Sequence, residues 1–131
     1  MSLGRRSDRA TTEDLFISCA DLPRGPGHPF YTRLDKILRK HDFDPFCENL
    51  CTSHYAEVMG RPSIPPGVYF RMLMIGYFEG IKSERGIAWR VADSKSLQGF
   101  LGYKMTEGTP DHSSLSRIRH RLSLEVHKEV F

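Results

Sequence analysis

The sequence has few cysteines and lacks a long apolar run, and each absence excludes a class of protein. The three cysteines are odd in number and show no repeated spacing, which argues against a disulfide framework and favours a reducing cytoplasm. The longest apolar stretches, residues 68–70 and 72–78, are separated by Arg71, whereas a helix that spans a bilayer needs about 20 apolar residues. No apolar segment follows the early arginines either, so the sequence predicts neither a membrane anchor nor a signal peptide.

A large excess of charge and strand-like patterning are also missing. The formal net charge is only +3 in 131 residues, so the overall charge does not by itself indicate a nucleic acid partner. We find no convincing strand pair, internal repeat or low-complexity tract. Hydrophobic residues make up 39% of the chain and charged residues 27%, which is typical of one soluble globular domain. Any sign of function must therefore come from local patterns.

Apolar residues recur at helical spacing along most of the chain, which predicts an all-α fold. Residues 30, 34, 37 and 38 lie on one face of a first helix, and Asp44 and Pro45 have the pattern of an N-cap followed by a proline in the first turn. A third helix, expected to begin near Ser63, has the body GVYFRMLMIGYFEGI. Because this body is apolar on nearly all sides, we expect it at the centre of a small helical bundle. Further helix starts are predicted at Ser83, at Ser94 or Lys95, at Thr109 and at Ser123.

Two parts of the chain are predicted. Residues 1–29 contain the run DLPRGPGHP, whose prolines and glycines predict a flexible N-terminal arm or linker. Arg5, Arg6 and Arg9 in this arm are interpreted either as DNA contacts or as solvated charges balanced by four acids. Residues 30–131 are predicted to form the helical domain. Because no glycine, asparagine or proline closes the helix after Ser123, this last helix is expected to be truncated.

The stretch TPDHSSLSRIRHRL, residues 109–122, has apolar and basic residues on opposite sides of its predicted helix. Thr109, Pro110 and Asp111 predict the helix start. On a helical wheel the apolar residues cluster in one arc, which is expected to face the core: Leu115, Ile118, Leu122 and Val126. The polar residues lie opposite or beside this arc: Ser113, Ser116, Arg117, His120 and Arg121, with Arg119 nearer the core edge, where its long stem can extend outward.

This face is typical of a helix that reads DNA. Arginine contacts guanine edges through two hydrogen bonds, and serine contacts bases or phosphates. The short helices before it favour a helix-turn-helix-like unit, although the loop 102–110 is longer than the usual three or four residues. Arg85 and Arg90 are predicted to contact phosphates beside this helix; the alternative is that Ser83, Glu84 and Arg85 serve only in capping and in surface pairing between helices. The alternative is that the basic face is only a solvated helix surface.

Two other features have mainly structural interpretations. Trp89 is the single tryptophan and is expected in the core or at its rim, beside an inner face formed by Ile87, Ala88, Val91 and Ala92. Cys47, Cys51 and His54 have the spacing C-x3-C-x2-H, but a structural zinc site usually needs four ligands. Buried thiols are therefore expected, and neither a metal nor another cofactor is predicted.

Several motifs together resemble the N-terminal domain of bacterial insertion-sequence transposases of the InsH type, over about residues 27–131. The most specific are Gly60-Arg61-Pro62, the step Ser83-Glu84-Arg85, and Pro110-Asp111-His112-Ser113 leading into the arginine-rich helix. The resemblance implies a domain that recognises the terminal inverted repeats of a mobile element. In that family a C-terminal RNase H-like domain cuts and joins DNA with three carboxylates and two metal ions, and the sequence offers no place for those carboxylates.

The expected function is therefore DNA binding in transposition, without catalysis by this chain itself. Double-stranded DNA at the element ends is the expected partner, and no membrane partner is expected. The alternative function is a protein-interaction or oligomerisation module that assembles with itself or with a full-length transposase and inhibits it. An independent enzyme is the third and least favoured interpretation, because two-metal chemistry needs converging acids.

Overall fold

The computed structural model describes residues 27–54 and 64–131, and within these ranges it is all helical. The helices are α1 (Pro29–Lys40), α2 (Phe43–Cys51), a 3-10 turn (Thr52–His54), α3 (Pro66–Glu79), α4 (Glu84–Ala92), α5 (Lys95–Phe100), α6 (His112–Arg121) and α7 (Leu124–Val130). The all-α prediction is confirmed. The predicted arm lies outside the described residues except for its last three, as do the expected helix stop at residues 60–62 and Ser63. None of the described helices has the length and apolar character needed to span a bilayer.

Serine hydroxyls begin three of the helices where the sequence predicts. Ser83, Ser94 and Ser123 are the N-caps of α4, α5 and α7, and each hydroxyl accepts a hydrogen bond from a backbone N–H three residues later. These bonds satisfy amides that have no partner inside the helix. Gly80 ends α3 in the left-handed conformation, with a φ of 70°, which glycine adopts without steric cost.

The start of α2 differs from the prediction. Asp42, in the left-handed conformation, occupies the N-cap position, and its side chain makes no capping hydrogen bond. Asp44, the predicted cap, lies inside the first turn of the helix. Its carboxylate instead accepts hydrogen bonds from Arg71 of α3. The carboxylate thus makes two parallel charge-assisted bonds to a buried guanidinium, so tertiary contact overrides the local cap signal.

The central helix is α3, as the sequence predicts. Tyr69, Phe70, Met72 and Ile75 are each at most 1% exposed, and α3 packs against both α2 and α4. Val68 of α3 also belongs to the core, and the other α-helices with their C-caps contribute the rest: Tyr31, Cys47, Cys51, Ile87, Val91, Leu97, Phe100, Leu101, Leu115, Ile118, Leu122 and Val126. Burial of most of its length explains why α3 is so hydrophobic in a protein of balanced charge, whereas Tyr77 and Phe78 near its end are exposed.

One charged side chain, Arg71, is buried in the middle of this core. It is 3% exposed and bonds to three other helices. Its Nη1 donates to Asp35 of α1 at 2.8 Å and to the backbone oxygen of Phe100 of α5 at 2.8 Å. Its Nε and Nη2 donate to both carboxylate oxygens of Asp44 in α2, at 3.2 Å and 2.9 Å. The guanidinium carbon also lies 4.8 Å from the centre of the Phe100 ring, within the range of cation–π attraction.

The two carboxylates keep Arg71 charged despite its burial. Removal from water by itself lowers the pKa of the guanidinium, but the hydrogen bonds to Asp44 and Asp35 and their negative charge outweigh this and raise the pKa of Arg71. A buried charge without such partners would be strongly unfavourable. The fixed fork of guanidinium donors suits this arrangement, because it meets one carboxylate with two parallel bonds and still reaches two further acceptors.

The first turn of α3 approaches Asp44 closely, and Gly67 makes that approach possible. A Cβ atom at this position would overlap the Asp44 carboxylate. Asp44 cannot easily move away, because both of its oxygens are bonded to Arg71. Gly67 is therefore needed for α2 and α3 to pack at the distance that the ion pair requires.

The last helix is anchored to α3 through His127. The Tyr69 hydroxyl lies 2.8 Å from Nε2 of His127, and Nδ1 lies 2.8 Å from the backbone oxygen of Ser123. A carbonyl oxygen only accepts hydrogen bonds, so Nδ1 carries the proton and, in the neutral ring, Nε2 accepts from the tyrosine. The Phe70 and Phe131 rings also meet edge to face. The C-terminal segment is thus part of the packed domain.

The predicted inner faces of two helices need correction. In α1 Tyr31 is the buried residue, while Phe30 and Ile37 are nearly half exposed. In α4 Ile87, Ala88 and Val91 are buried as predicted, but Ala92 is exposed. Trp89 is not a core residue either, because 66% of its surface is exposed. Helical periodicity locates the apolar arc only to within about one residue, or roughly 100°.

The cysteine pair is buried as predicted. Cys47 and Cys51 are both fully inaccessible, and burial raises the pKa of the Cys47 thiol to about 12. Burial likewise raises the pKa of Cys51. Thiolates, not thiols, are the form that binds metal or reacts. Within the described ranges, no three histidine, cysteine or acidic side chains form a group suited to a metal ion.

We expect Arg71→Met to lower the free energy of unfolding by about 3 kcal/mol, because the change leaves two carboxylates and a carbonyl oxygen without their shared donor. Arg39→Met is the matched control. Arg39 pairs with the same Asp35 at 2.9 Å, but its side chain is 69% exposed. Its loss should lower the free energy by less than about 0.5 kcal/mol. Urea denaturation of both variants measures the difference, and equal effects would contradict the role given to Arg71.

Candidate functional site

The arginine-rich helix exists, and it begins two residues later than predicted. Asp111, not Thr109, is the N-cap of α6: its carboxylate accepts from the Ser114 N–H at 2.9 Å and from the Ser113 hydroxyl at 3.0 Å. These bonds, the backbone one first, lower the pKa of Asp111 to about 2. Pro110 is buried and so precedes the helix as a packing residue. Asp111 therefore caps α6, because its carboxylate accepts from a backbone N–H of the first turn and its negative charge suits the N-terminal end of a helix.

The apolar side of the helix is confirmed. Leu115, Ile118, Leu122 and Val126 are each at most 6% exposed. The backbone turns out of the helix at Leu122, whose ψ is 142°, so Val126 reaches the core from α7. Four buried side chains hold this part of the chain against the domain, and the opposite side of α6 is presented to solvent.

The outer side of α6 is basic and contains no acid. Arg117, His120 and Arg121 are exposed, and Ser113 and Ser116 are half-buried beside them. From His112 to Arg121 the helix holds three arginines and two histidines. Neither Arg117 nor His120 has a side-chain hydrogen-bond or ion-pair partner among the residues that the structure describes. Hydrogen-bond donors that the fold itself does not use remain available to an external anion.

Arg119 has a different environment from the other arginines of α6. Its Nη1 lies 2.8 Å from Glu84, the first residue of α4. The side chain is 55% exposed, so the pair lies at the domain surface. The contact fixes α6 across the beginning of α4. Arg119 thus has a positioning role on the edge of the basic face, where its sequence position had placed it.

The two predicted arginines of α4 lie on different sides of that helix. Arg85 reaches α6, where its Nη2 lies 3.4 Å from Nε2 of His112. Arg90 instead pairs with Glu79 of α3 at 2.7 Å. At about 100° per residue the two arginines are about 140° apart around α4. The structure therefore brings Arg85 together with the residues of α6, and it does not bring Arg90 there.

Arg90 belongs to a second polar cluster, on the other side of α4. Glu79 accepts from Arg90 and also from the Tyr31 hydroxyl, at 2.6 Å. Burial favours the neutral acid, but the bonds from Tyr31 and Arg90 outweigh it and lower the pKa of Glu79. Burial first, then the bond to this carboxylate, raises the pKa of Tyr31. Arg90 therefore links α4 to α3 and α1.

The structure confirms the capping and surface-pairing interpretation of Ser83 and Glu84, since Ser83 caps α4 and Glu84 pairs with Arg119 of α6. The exposure of one other residue was not predicted from the sequence. Trp89 was expected in or near the core, yet it is exposed one helical turn after Arg85. The i, i+4 spacing of Arg85 and Trp89 is a signal that they share a face, but periodicity alone does not show whether that face is covered.

The helices around the basic face form a compact group. α4 packs against both α5 and α6, and the connection from α5 to α6 is the loop 101–111. Gly102, the second residue of this loop, has a φ of 83°, and Leu101 and Pro110 are buried near the two ends of the loop. The long loop is thus anchored at both ends, and α6 has a defined position on α4.

The capping role of Asp111 predicts a specific acid dependence. The pKa of Asp111 is lowered from 3.8 to about 2, so its contribution to stability is fully present above 3.8 and is lost as the pH falls towards 2. We expect Asp111→Ala to be less stable than the unchanged protein at roughly pH 5, with the difference shrinking as the pH approaches the lower pKa. The midpoint of urea denaturation across this range measures it.

Asp111→Asn is the control, because asparagine keeps the capping acceptor but does not titrate. This variant should remain close to the unchanged protein near neutral pH and lose less stability in acid. A gap between the alanine variant and the unchanged protein that stays constant down to the lower pKa would contradict a charged cap.

Comparison with known proteins identifies the family. The model of the family described as Transposase domain (DUF772) matches residues 21–121 of the chain. The match includes α1 to α6 and therefore the whole of the arginine-rich helix α6 and the helix α4 against which it packs. No curated protein and no solved structure matches the chain. Because the family model covers well over half of the 131 residues, the chain belongs to the transposase domain family DUF772.

Proposed function

We propose that this chain is the DNA-binding part of an insertion-sequence transposase and recognises the terminal inverted repeats of the element. The single observation that carries the proposal is the outer face of α6, which has exposed Arg117, His120 and Arg121 and no acid. Membership in the transposase domain family supports a role in transposition. The InsH-type resemblance of the sequence supports the more specific assignment to element ends.

In this proposal α6 is the reading helix of a helix-turn-helix-like unit that includes α4 and α5. A helix of this size enters the major groove of DNA, where an arginine can donate two hydrogen bonds to a guanine. Arg117 and Arg121 would contact bases or phosphates, with Ser113, Ser116 and His120 assisting. Arg119 has a weaker part, because Glu84 already holds its guanidinium.

Arg85 is the supporting phosphate contact in this proposal. Its position beside His112 places it next to the first turn of α6. Phosphate contacts fix the register and orientation of a protein on the duplex but do not read its sequence. Arg90, which is bonded to Glu79 on another side of α4, would reach a phosphate only if that ion pair opened.

The proposal assigns recognition to this chain and no catalytic step. Cutting and joining would belong to the three-carboxylate domain that the resemblance implies. The site of action would be the bacterial cytoplasm, at the nucleoid, where the mobile element lies.

A second candidate function, protein association, is favoured by an apolar groove of about 530 Å³ on another part of the domain. Tyr77 is 83% exposed and Phe131 65% exposed at this groove. Its lining is Leu34, Leu73, Met74, Tyr77, Phe78, Val130 and Phe131. Contiguous exposed apolar surface of this kind often marks an interaction site, and another copy of the chain or a full-length transposase is the partner proposed here.

Replacing both arginines in Arg117→Ala/Arg121→Ala should weaken binding to duplex DNA by at least about tenfold, since each bidentate contact contributes roughly 1–3 kcal/mol. The slope of log affinity against log salt should also become shallower, by about 0.9 for every phosphate that the variant no longer neutralises. Fluorescence anisotropy with a labelled duplex at several salt concentrations measures both quantities.

The matched control is Arg33→Ala/Lys36→Ala, which removes the same formal charge from α1, outside the basic face. If the basic face of α6 is the binding surface, this control should change affinity and slope far less. Equal losses in the two double variants would indicate general charge attraction. An unchanged affinity in the α6 variant would refute the assignment.

The second candidate function predicts that self-association depends on the groove. Tyr77→Asp places a charge where the tyrosine is almost fully exposed, so the folded chain should tolerate it while an apolar contact between copies should not. Sedimentation velocity over a range of concentrations tests this. If association occurs, the variant should remain monomeric; association that persists unchanged would exclude the groove as the interface.

A further inference from the structure

Trp89 is exposed in a way that the fold does not explain. It is the only tryptophan in the sequence, and 66% of its surface is accessible on α4. Tryptophan is highly buried on average in folded proteins, and exposure of its large ring to water is unfavourable. No ring contact or side-chain hydrogen bond of Trp89 is found among the described residues, so the domain itself does not use this side chain.

The position of Trp89 on α4 places it on the same side as Arg85. The two residues are four apart, which corresponds to about 40° around the helix. Arg90, with its partner Glu79, lies about 100° away in the other direction. Arg85 itself contacts His112 at the start of α6. The exposed indole therefore extends the flank of α4 that adjoins the basic face.

The charges around this flank favour an anionic partner. The residue of α6 that Arg85 contacts is a histidine, not an acid. Because a guanidinium only donates hydrogen bonds, Nε2 of His112 accepts here. Two acids of this region are occupied, Glu84 by Arg119 and Glu79 by Arg90. Asp93, the C-cap of α4, lies a further turn along from Trp89 and marks the edge of the basic surface.

We infer that Trp89 contacts the sugar–phosphate backbone of the DNA strand that borders the groove read by α6. The indole face would pack on a deoxyribose, and its Nε1–H would donate to a phosphate oxygen, while Arg85 binds a neighbouring phosphate. The inference rests on the proposed DNA-binding function and adds a second helix to the interface.

The chemistry of tryptophan suits this partner. The indole has a broad apolar surface and a single N–H donor, with no acceptor, so it complements a sugar next to a negatively charged oxygen. Its ring is rigid, and contact therefore costs little conformational entropy. Backbone contacts of this kind position a protein on the duplex and do not select a base sequence. Trp89 should accordingly contribute to affinity for all duplexes that α6 binds.

The single tryptophan makes a direct test possible. The whole chain is titrated with a short fluorescein-labelled duplex of mixed sequence at low salt, and anisotropy reports binding. The same titration with unlabelled duplex follows tryptophan fluorescence, which comes from Trp89 alone. Quenching by acrylamide, which is uncharged, is measured with and without DNA. We expect the emission to change along the anisotropy curve and the acrylamide quenching constant to fall at least twofold.

Two variants check the energetic contribution. Trp89→Ala should weaken binding roughly tenfold, the factor expected for one hydrogen bond to a charged group together with its packing. Phe46→Ala is the control, because Phe46 is an exposed aromatic residue on α2, which packs against α1, α3 and α7. It should leave affinity unchanged, and circular dichroism should show both variants folded.

The outcomes separate this inference from the function on which it rests. If anisotropy shows DNA binding but the emission, the acrylamide quenching and the Trp89→Ala affinity do not change, Trp89 is not in the interface and only this inference fails. If the chain binds no duplex at all, the proposed function fails as well. Protection of Trp89 only when chains associate without DNA would assign it to a protein contact and overturn the inference.

Discussion

The hydrogen bonds and ion pairs of the buried Arg71 are the interactions on which the rest of the domain depends. A charge in the core must be paired, and this one is paired with α1 and α2 and bonded to the backbone of α5. Since Arg71 lies in the central helix α3, its requirements fix the positions of three neighbouring helices at once. Hydrophobic burial is non-directional, whereas the planar guanidinium donates hydrogen bonds in fixed directions, so its partners can take only a few arrangements. Arg71 thus supplies directional information that the apolar core lacks.

Ion pairing also decides which basic residues remain accessible on the outer surface of α6. Glu84 neutralises Arg119, and Glu79 neutralises Arg90. These pairs hold α4, α6 and α3 together. Asp111, the acid at the start of α6, is engaged in capping that helix. The side chains of Arg117 and His120 remain without a partner in the described part of the chain. The fold therefore pairs some basic residues with its own acids and presents others to solvent on a helix packed against the core through Leu115 and Ile118.

The sequence predicted the helical class, the central helix and both sides of α6, because these depend on periodicity and on apolar content. Serine caps at positions 83, 94 and 123 were also predictable, since each bond joins residues three apart. The roles of Asp44 and Trp89 were not. The Asp44 carboxylate does not cap α2 but bonds to an arginine 27 residues away in the sequence. The exposure of Trp89 depends on which other helices cover α4. Both are decided by tertiary contacts that local pattern cannot report.

Selection from a random duplex library at two salt concentrations shows whether the basic face of α6 reads DNA. If it does, one sequence motif should be enriched and overall affinity should fall steeply as salt rises, because base contacts select the motif and phosphate contacts release counterions. Binding that is weak and enriches no sequence at either salt concentration would contradict the proposed reading of DNA by α6 and leave protein association as the favoured role of this domain.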